Sequence, residues 1–253
     1  MVEGTLRQLL AENITVNGGG GVHGDLRLPG SPTVRLNGQP SLGATVADTG
    51  SAQPGGYQLT LNGNAQISRL VTHSDPLALQ AVGAPPRPSG TRDVAINQAG
   101  QAIGAFTTLR NLTLNSNTGV VAVPPGTYGQ FTGNSGASLA LGVAGATTPT
   151  VYNPQGLTLN GQSALRVVGP VVLTLAGGVS INGQLGASDH LAWLVLNVAT
   201  GAVTVNGGGA FYGSLYAPAS TVTLNGNTQL RGAFVADRLT LNGGATVQAL
   251  STP

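Results

Sequence analysis

An apolar residue, a Thr or Ser, a second apolar residue and then Asn-Gly recur along the chain. The unit appears at Ile14-Thr15-Val16-Asn17-Gly18, Leu59-Thr60-Leu61-Asn62-Gly63, Leu157-Thr158-Leu159-Asn160-Gly161 and Val179-Ser180-Ile181-Asn182-Gly183. It returns at Val203-Thr204-Val205-Asn206-Gly207, Val222-Thr223-Leu224-Asn225-Gly226 and Leu239-Thr240-Leu241-Asn242-Gly243. Val34-Arg35-Leu36-Asn37-Gly38 is the same unit with Arg at its centre, and Leu112-Thr113-Leu114-Asn115-Ser116 ends in Ser. Two apolar residues flanking a polar one read as a short strand with one face inside, and Asn-Gly closes it at a corner that tolerates positive φ. One such strand cannot bury its own face, so recurrence every few tens of residues means stacked coils. The expected class is all-β, a β-solenoid. Parallel strands need crossovers, which are overwhelmingly right-handed, so the expectation is a right-handed parallel β-helix.

Composition agrees with a filled interior. The chain has 253 residues, 41% hydrophobic content and a mean hydropathy of +0.17, so its 40 Gly and 15 Pro do not describe a disordered chain. Charged residues make up only 7%, which leaves solvation to Thr, Ser, Asn and Gln. The ten basic residues are all Arg and are spread from Arg7 to Arg238, so a net charge of +2 gives no footprint for nucleic acid. Without Cys there is no disulfide, thiolate nucleophile or cysteine metal site. No stretch approaches the apolar length of a membrane-spanning helix.

Thr5-Leu6-Arg7-Gln8 matches a capping box, with Leu6, Leu9 and Leu10 on one face, so residues 1–13 read as a short amino-terminal capping helix over the first coil. These residues show no basic region followed by an apolar core, so export either precedes residue 1 or does not occur. Residues 14–253 read as a single β-solenoid, interrupted near 71–92 by Pro76, Pro85, Pro86 and Pro88, which lack the N–H that interior strands need. That stretch is expected to be a lateral segment, and it is the one place where a domain boundary could fall. From Asn160 the Asn spacings are 22, 24, 19 and 17 residues. At roughly 20 residues per coil and about 4.8 Å per rung, the chain would make about a dozen rungs.

From Pro124 to Val247 the chain resembles the solenoid domains of bacterial exported, surface and pilus-associated proteins. The likeness rests on Pro125-Gly126-Thr127-Tyr128-Gly129, on the stretch from Val167 to Thr174, and on the stretch from Phe211 to Pro218 that leads into Val222-Thr223-Leu224-Asn225-Gly226-Asn227. It implies an extracytoplasmic, largely non-catalytic module. A second similarity is to bactofilins, cytoskeletal solenoids that polymerise through their ends. It rests on Gly213-Ser214-Leu215-Tyr216-Ala217-Pro218 and the step from Asn225 to Asn242, and it would place the protein in the cytoplasm.

Many β-helices are pectinases or polysaccharide lyases, and a glycosidase among them needs two carboxylates across one bond. The eight acids are Glu3, Glu12, Asp25, Asp48, Asp75, Asp93, Asp189 and Asp237, widely separated and outside any compact catalytic phrase. Asp189-His190 is the most suggestive acid–imidazole pair, but neighbours on a loop usually point apart. His23 and His73 also stand within two positions of an Asp. Gly20 to Asp25 glances at the calcium repeat of secreted β-rolls but does not recur, and no phosphate-binding loop with Lys exists. The Thr column, Thr15, Thr60, Thr113, Thr158, Thr174, Thr204, Thr223 and Thr240, invites comparison with arrays that bind ice. Those arrays place two Thr on each rung, which happens here only at Thr221 and Thr223.

The Asn column, Asn17, Asn37, Asn62, Asn115, Asn160, Asn182, Asn206, Asn225 and Asn242, reads as a structural turn ladder, because Asn accepts left-handed geometry and stacked amides bond to one another. No catalytic residue, metal site or cofactor is assigned. The expected function is a non-catalytic structural or adhesive module of the bacterial cell exterior that assembles with copies of itself or with other surface proteins. The assembly edge is expected at the carboxyl rung, at Val235, Leu239, Leu241 and Val247, where the strand pattern ends without a cap. The alternative is a carbohydrate-binding or polysaccharide-cleaving β-helix, with a polysaccharide as partner.

Overall fold

The apolar-Thr-apolar units become parallel strands stacked in register, in a computed structural model that describes residues 1–249. The described residues pack as two compact units, one of residues 80–245 and one of residues 1–79 with 246–249. The division falls inside the Pro-rich stretch, which carries no strand between Gln66–Thr72 and Arg92–Ile96.

In the larger unit, Arg92–Ile96, Leu109–Leu114, Gly126–Gly133, Thr150–Leu159, Val179–Ile181, Val203–Val205, Ser214–Asn225 and Phe234–Asn242 pair in that order. Each rung turns a corner after its Asn and enters another parallel sheet, formed by Val120–Ala122, Ser138–Leu141, Ala164–Val167, Gln184–Gly186, Ala210–Tyr212 and Gln229–Arg231. Val171–Leu175 and Leu194–Val198 stack with the early parts of Thr150–Leu159 and Ser214–Asn225 to close the coil. Register aligns the apolar positions into interior columns, among them Leu139, Leu165, Leu185, Phe211 and Leu230, all at 1% exposure or less. Burying each such side chain stabilises the stack by roughly 1.5–3 kcal/mol.

The corner has a regular form. Between Leu159 and Ala164, and between Val205 and Ala210, four residues turn the chain through an i to i+3 bond: Ser163 N donates to Asn160 O and Gly209 N to Asn206 O. The left-handed residue is the glycine, with φ of +58° at Gly161 and +61° at Gly207, and not the Asn as the sequence suggested. The Asn keeps its side chain for its neighbours.

In the smaller unit, chain order and spatial order differ. Thr33–Gly38 and Ile14–Val16 both pair with Gln58–Gly63, and Ser41–Ala47 and Gly21–Arg27 both pair with Gln66–Thr72. The chain therefore lays down the rung of residues 33–47 before it returns to insert residues 58–72 beneath it. Rung 33–47 covers Leu59, Leu61, Ile67 and Leu70, which are buried, and is itself left uncovered.

The amino-terminal capping helix is absent. Among the described residues the only helical turns are 3-10, at Phe106–Thr108 and Leu191–Trp193. Leu6–Arg7 is instead a strand, with Leu6 opposite Leu26 and Arg7 opposite Arg27, and Gln8 N donates to Arg27 O at 2.9 Å. An existing sheet edge offers these backbone groups partners, whereas an isolated helix this short gains too little to nucleate. Leu10, which the helix would have buried, is 62% exposed.

Candidate functional site

The Asn side chains form direct amide ladders. In the larger unit Nδ2 of Asn160 donates to Oδ1 of Asn134, Asn134 to Asn115 and Asn115 to Asn97, at 2.6–3.0 Å. Asn242 donates to Asn225 and Asn225 to Asn206, both at 2.8 Å. In the smaller unit Asn37 donates to Asn62 and Asn62 to Asn17. Asn97 and Asn134 belong to the column although neither is followed by Gly, so a search for Asn-Gly misses them.

The larger unit's ladder breaks at one rung. Asn182 makes no side-chain hydrogen bond among the described residues, although its backbone is in register, with its N–H on Leu159 O. The cause lies in chain length: only Asn182 and Gly183 separate Ile181 from Gln184, two residues where the neighbouring corners have four. The short corner lies back between its neighbours and leaves a recess of about 620 Å³. Gly183 forms its floor, where a Cβ would stand 1.9 Å from Ser163 O. Gln162 and Gly207 belong to the flanking corners, and Arg166, Gln184 and Tyr212 come from the adjoining sheet. No acidic residue lines it, and Arg166 is exposed without an ion pair among the described residues.

The acids are held elsewhere. Arg110 donates to both Asp93 oxygens, from Nε at 2.7 Å, and holds that carboxyl down to about 2. Arg69 grips Asp25 through two bonds at 2.7 and 2.6 Å and lowers it likewise, with Arg27 adding a weaker contact. Arg27 also reaches Asp48 at 3.1 Å. Asp189 and His190 do meet, Oδ2 to Nδ1 at 3.0 Å, and the imidazole stacks on Trp193 with ring centroids 3.8 Å apart. The pair therefore braces a loop turn. His23 contacts Glu3 and Gln66, and His73 contacts Ser31, so neither partners the Asp beside it in sequence. Among the described residues no cluster of three metal-ligating side chains occurs, and no helix is long and apolar enough to cross a membrane.

The hydroxyls of Thr113, Thr132, Thr158, Ser180, Thr204, Thr223 and Thr240 form one outward column, each paired in register with the next. Thr174 lies outside it, opposite Asn197. The column beside it holds Gln130, Gly156, Gly178, Ala202 and Thr221, and Nε2 of Gln130 reaches across to Thr158 Oγ1 at 3.1 Å.

Of the residues expected at the carboxyl assembly edge, Val247 is placed otherwise. Val247 is 1% exposed, stands opposite Val2 and donates its N–H to Met1 O at 2.8 Å, so this part of the edge is already occupied. Val235, Leu239 and Leu241 lie in Phe234–Asn242 and are half-buried, opposite Tyr216, Val222 and Leu224. In rung 33–47, Val34 and Leu36 stand in register with the buried Leu59 and Leu61, so they face the coil interior, yet they are 37% and 53% exposed. By contrast, the free side of Arg92–Ile96 is closed by Gln101, which accepts from Asn97 N and donates to Ala95 O.

These features define a parallel β-solenoid with an open terminal rung and a recessed polar corner. Residues 147–250, which include Asn182, Gly183 and Tyr212, match a family described as a domain of unknown function, DUF7305. No curated protein matches the sequence. Among solved structures, the chain is similar to an ice binding protein from an Antarctic bacterium, Flavobacteriaceae, at 14% identity, over 99% of this chain and 82% of that one. The TM-score is 0.29.

Proposed function

We propose that the protein is a non-catalytic structural or adhesive module of the bacterial cell exterior, and that it associates with copies of itself through rung 33–47. The observation that carries this is the exposure of Val34 and Leu36 at interior-facing positions of a rung whose outer backbone edge has no partner among the described residues. An open edge with apolar residues is a template for another strand. Pairing of two identical edges is isologous and closes as a dimer, leaving no edge for further growth through this rung. Sedimentation velocity and electron microscopy of the chain and of Leu36→Glu test this. The expected result is a dimer that becomes a folded monomer in the variant, its unfolding temperature no longer depending on protein concentration. A wild-type chain that stays monomeric at every concentration rejects it.

A second reading, an ice-binding face, is favoured by the in-register hydroxyl column. The neighbouring Gly and Ala positions leave it without the paired hydroxyls that strengthen such faces. A freezing point depressed below the melting point would favour that reading, and its absence removes it.

A further inference from the structure

The recess at Asn182–Gly183 goes beyond a structural role. Its position follows from the two residues missing from this one corner, and the same shortening takes Asn182 out of the amide ladder that occupies its counterparts. The side-chain amides of Asn182, Gln162 and Gln184 line the recess, each with a donor and an acceptor end. Paired donors and acceptors suit vicinal hydroxyls. The lining has no aliphatic side chain larger than Ala, so it offers a peptide no apolar pocket.

One wall adds charge and an aromatic surface. Leu165 pairs with Leu185, which puts Arg166 opposite Gly186, and Gly186 pairs with Tyr212. Arg166 and Tyr212 therefore stand two rungs apart in one outward column, roughly 9–10 Å between backbones. The residue between them, Gly186, contributes no side chain, and it is fixed as glycine because a Cβ would lie 2.0 Å from the backbone oxygen of Tyr212. A gap of that size admits a sugar ring, with the phenol to stack on it and the guanidinium to meet an anionic substituent. We propose that this recess binds an acidic saccharide, a uronic-acid-containing chain whose carboxylate pairs with Arg166, whose ring lies on Tyr212 and whose hydroxyls bond the amides of Asn182 and Gln184.

The test is isothermal titration of the full chain with hexagalacturonate and with maltohexaose, a neutral chain of equal length. The acidic chain is expected to bind and the neutral one to bind at least about tenfold more weakly, since a charge-assisted contact is lost. Arg166→Gln should weaken hexagalacturonate binding by about tenfold or more, and Tyr212→Ala by a similar factor. Inserting two glycines between Asn182 and Gly183 restores the common corner length and should abolish binding. Arg166 is exposed, so its replacement leaves the unfolding temperature unchanged and reports on binding alone. Failure of the wild type to bind hexagalacturonate, equal affinity for the two sugars, or undiminished binding by Arg166→Gln would each overturn the proposal. None of these bears on association through rung 33–47, which sedimentation tests separately.

Discussion

Along each strand, alternate side chains live in different solvents. Leu224 is fully buried between Val205 and Leu241, while Thr223, one residue earlier, faces outward. Replacing Leu224 by Asp places an unpaired charge in the interior and should cost several kcal/mol, on the order of 3–5, whereas Thr223→Asp should cost about 1 or less. Chemical denaturation of both variants measures the difference. Asp93 offers a titration test. Its folded carboxyl sits at about 2, against an ordinary 3.8, because Arg110 holds it. Depression favours the folded state above the ordinary value, and the contribution disappears as pH falls through about 2. The gap in unfolding temperature between the chain and Asp93→Asn should therefore narrow over that interval. A gap that is constant with pH would show that the pair contributes nothing to stability.

At the scale of the strand, what the sequence reveals depends on where the controlling contacts lie. The apolar-Thr-apolar units were legible because a period of two is a local property, and Val203–Val205 or Ser214–Asn225 could be read from their own residues. The short corner at Asn182–Gly183 went unread, since nothing in its own composition marks a missing pair of residues and only an alignment of coils on their buried leucines, Leu165 against Leu185, brings it out. Pairing partners were not legible. Leu6–Arg7 carries helix signals and becomes a strand because Leu26 and Arg27 lie beside it, and Val247 loses its open edge to Val2. The second case is open to experiment. Val247→Pro removes the N–H that meets Met1 O, so it should destabilise the amino-terminal strand by about 1 kcal/mol or more and expose the Val2 and Glu3 amides to hydrogen exchange, with the oligomeric state unaltered. Loss of association without faster exchange would return the assembly edge to the carboxyl strand.

For the molecule taken whole, the repeats specify a scaffold, and the departures from repetition carry the candidate function. Rung 33–47 is a departure in order: residues 58–72 insert beneath it, so its apolar residues have no further rung to cover them. No sequence pattern announces that exchange, because Val34-Arg35-Leu36-Asn37-Gly38 has the signature of an interior coil. The acids show the same limit from another side. Asp25 meets Arg69 and Asp93 meets Arg110 across coils, and these pairings depend on register that only the folded chain supplies.

The broken ladder also sets where the protein ages. Asn-Gly is the dipeptide most prone to deamidation, because the unhindered glycine nitrogen can close on the preceding side-chain carbonyl. In most corners a neighbouring amide holds that carbonyl or the nitrogen beside it, as at Asn62, Asn160, Asn225 and Asn242. Asn182 has neither restraint and faces the recess. Peptide mapping by mass spectrometry after storage at mildly alkaline pH should find conversion there first. The products, isoaspartate and aspartate, each put a carboxylate into the recess that Arg166 also lines, a slow covalent change that would offset its cationic charge.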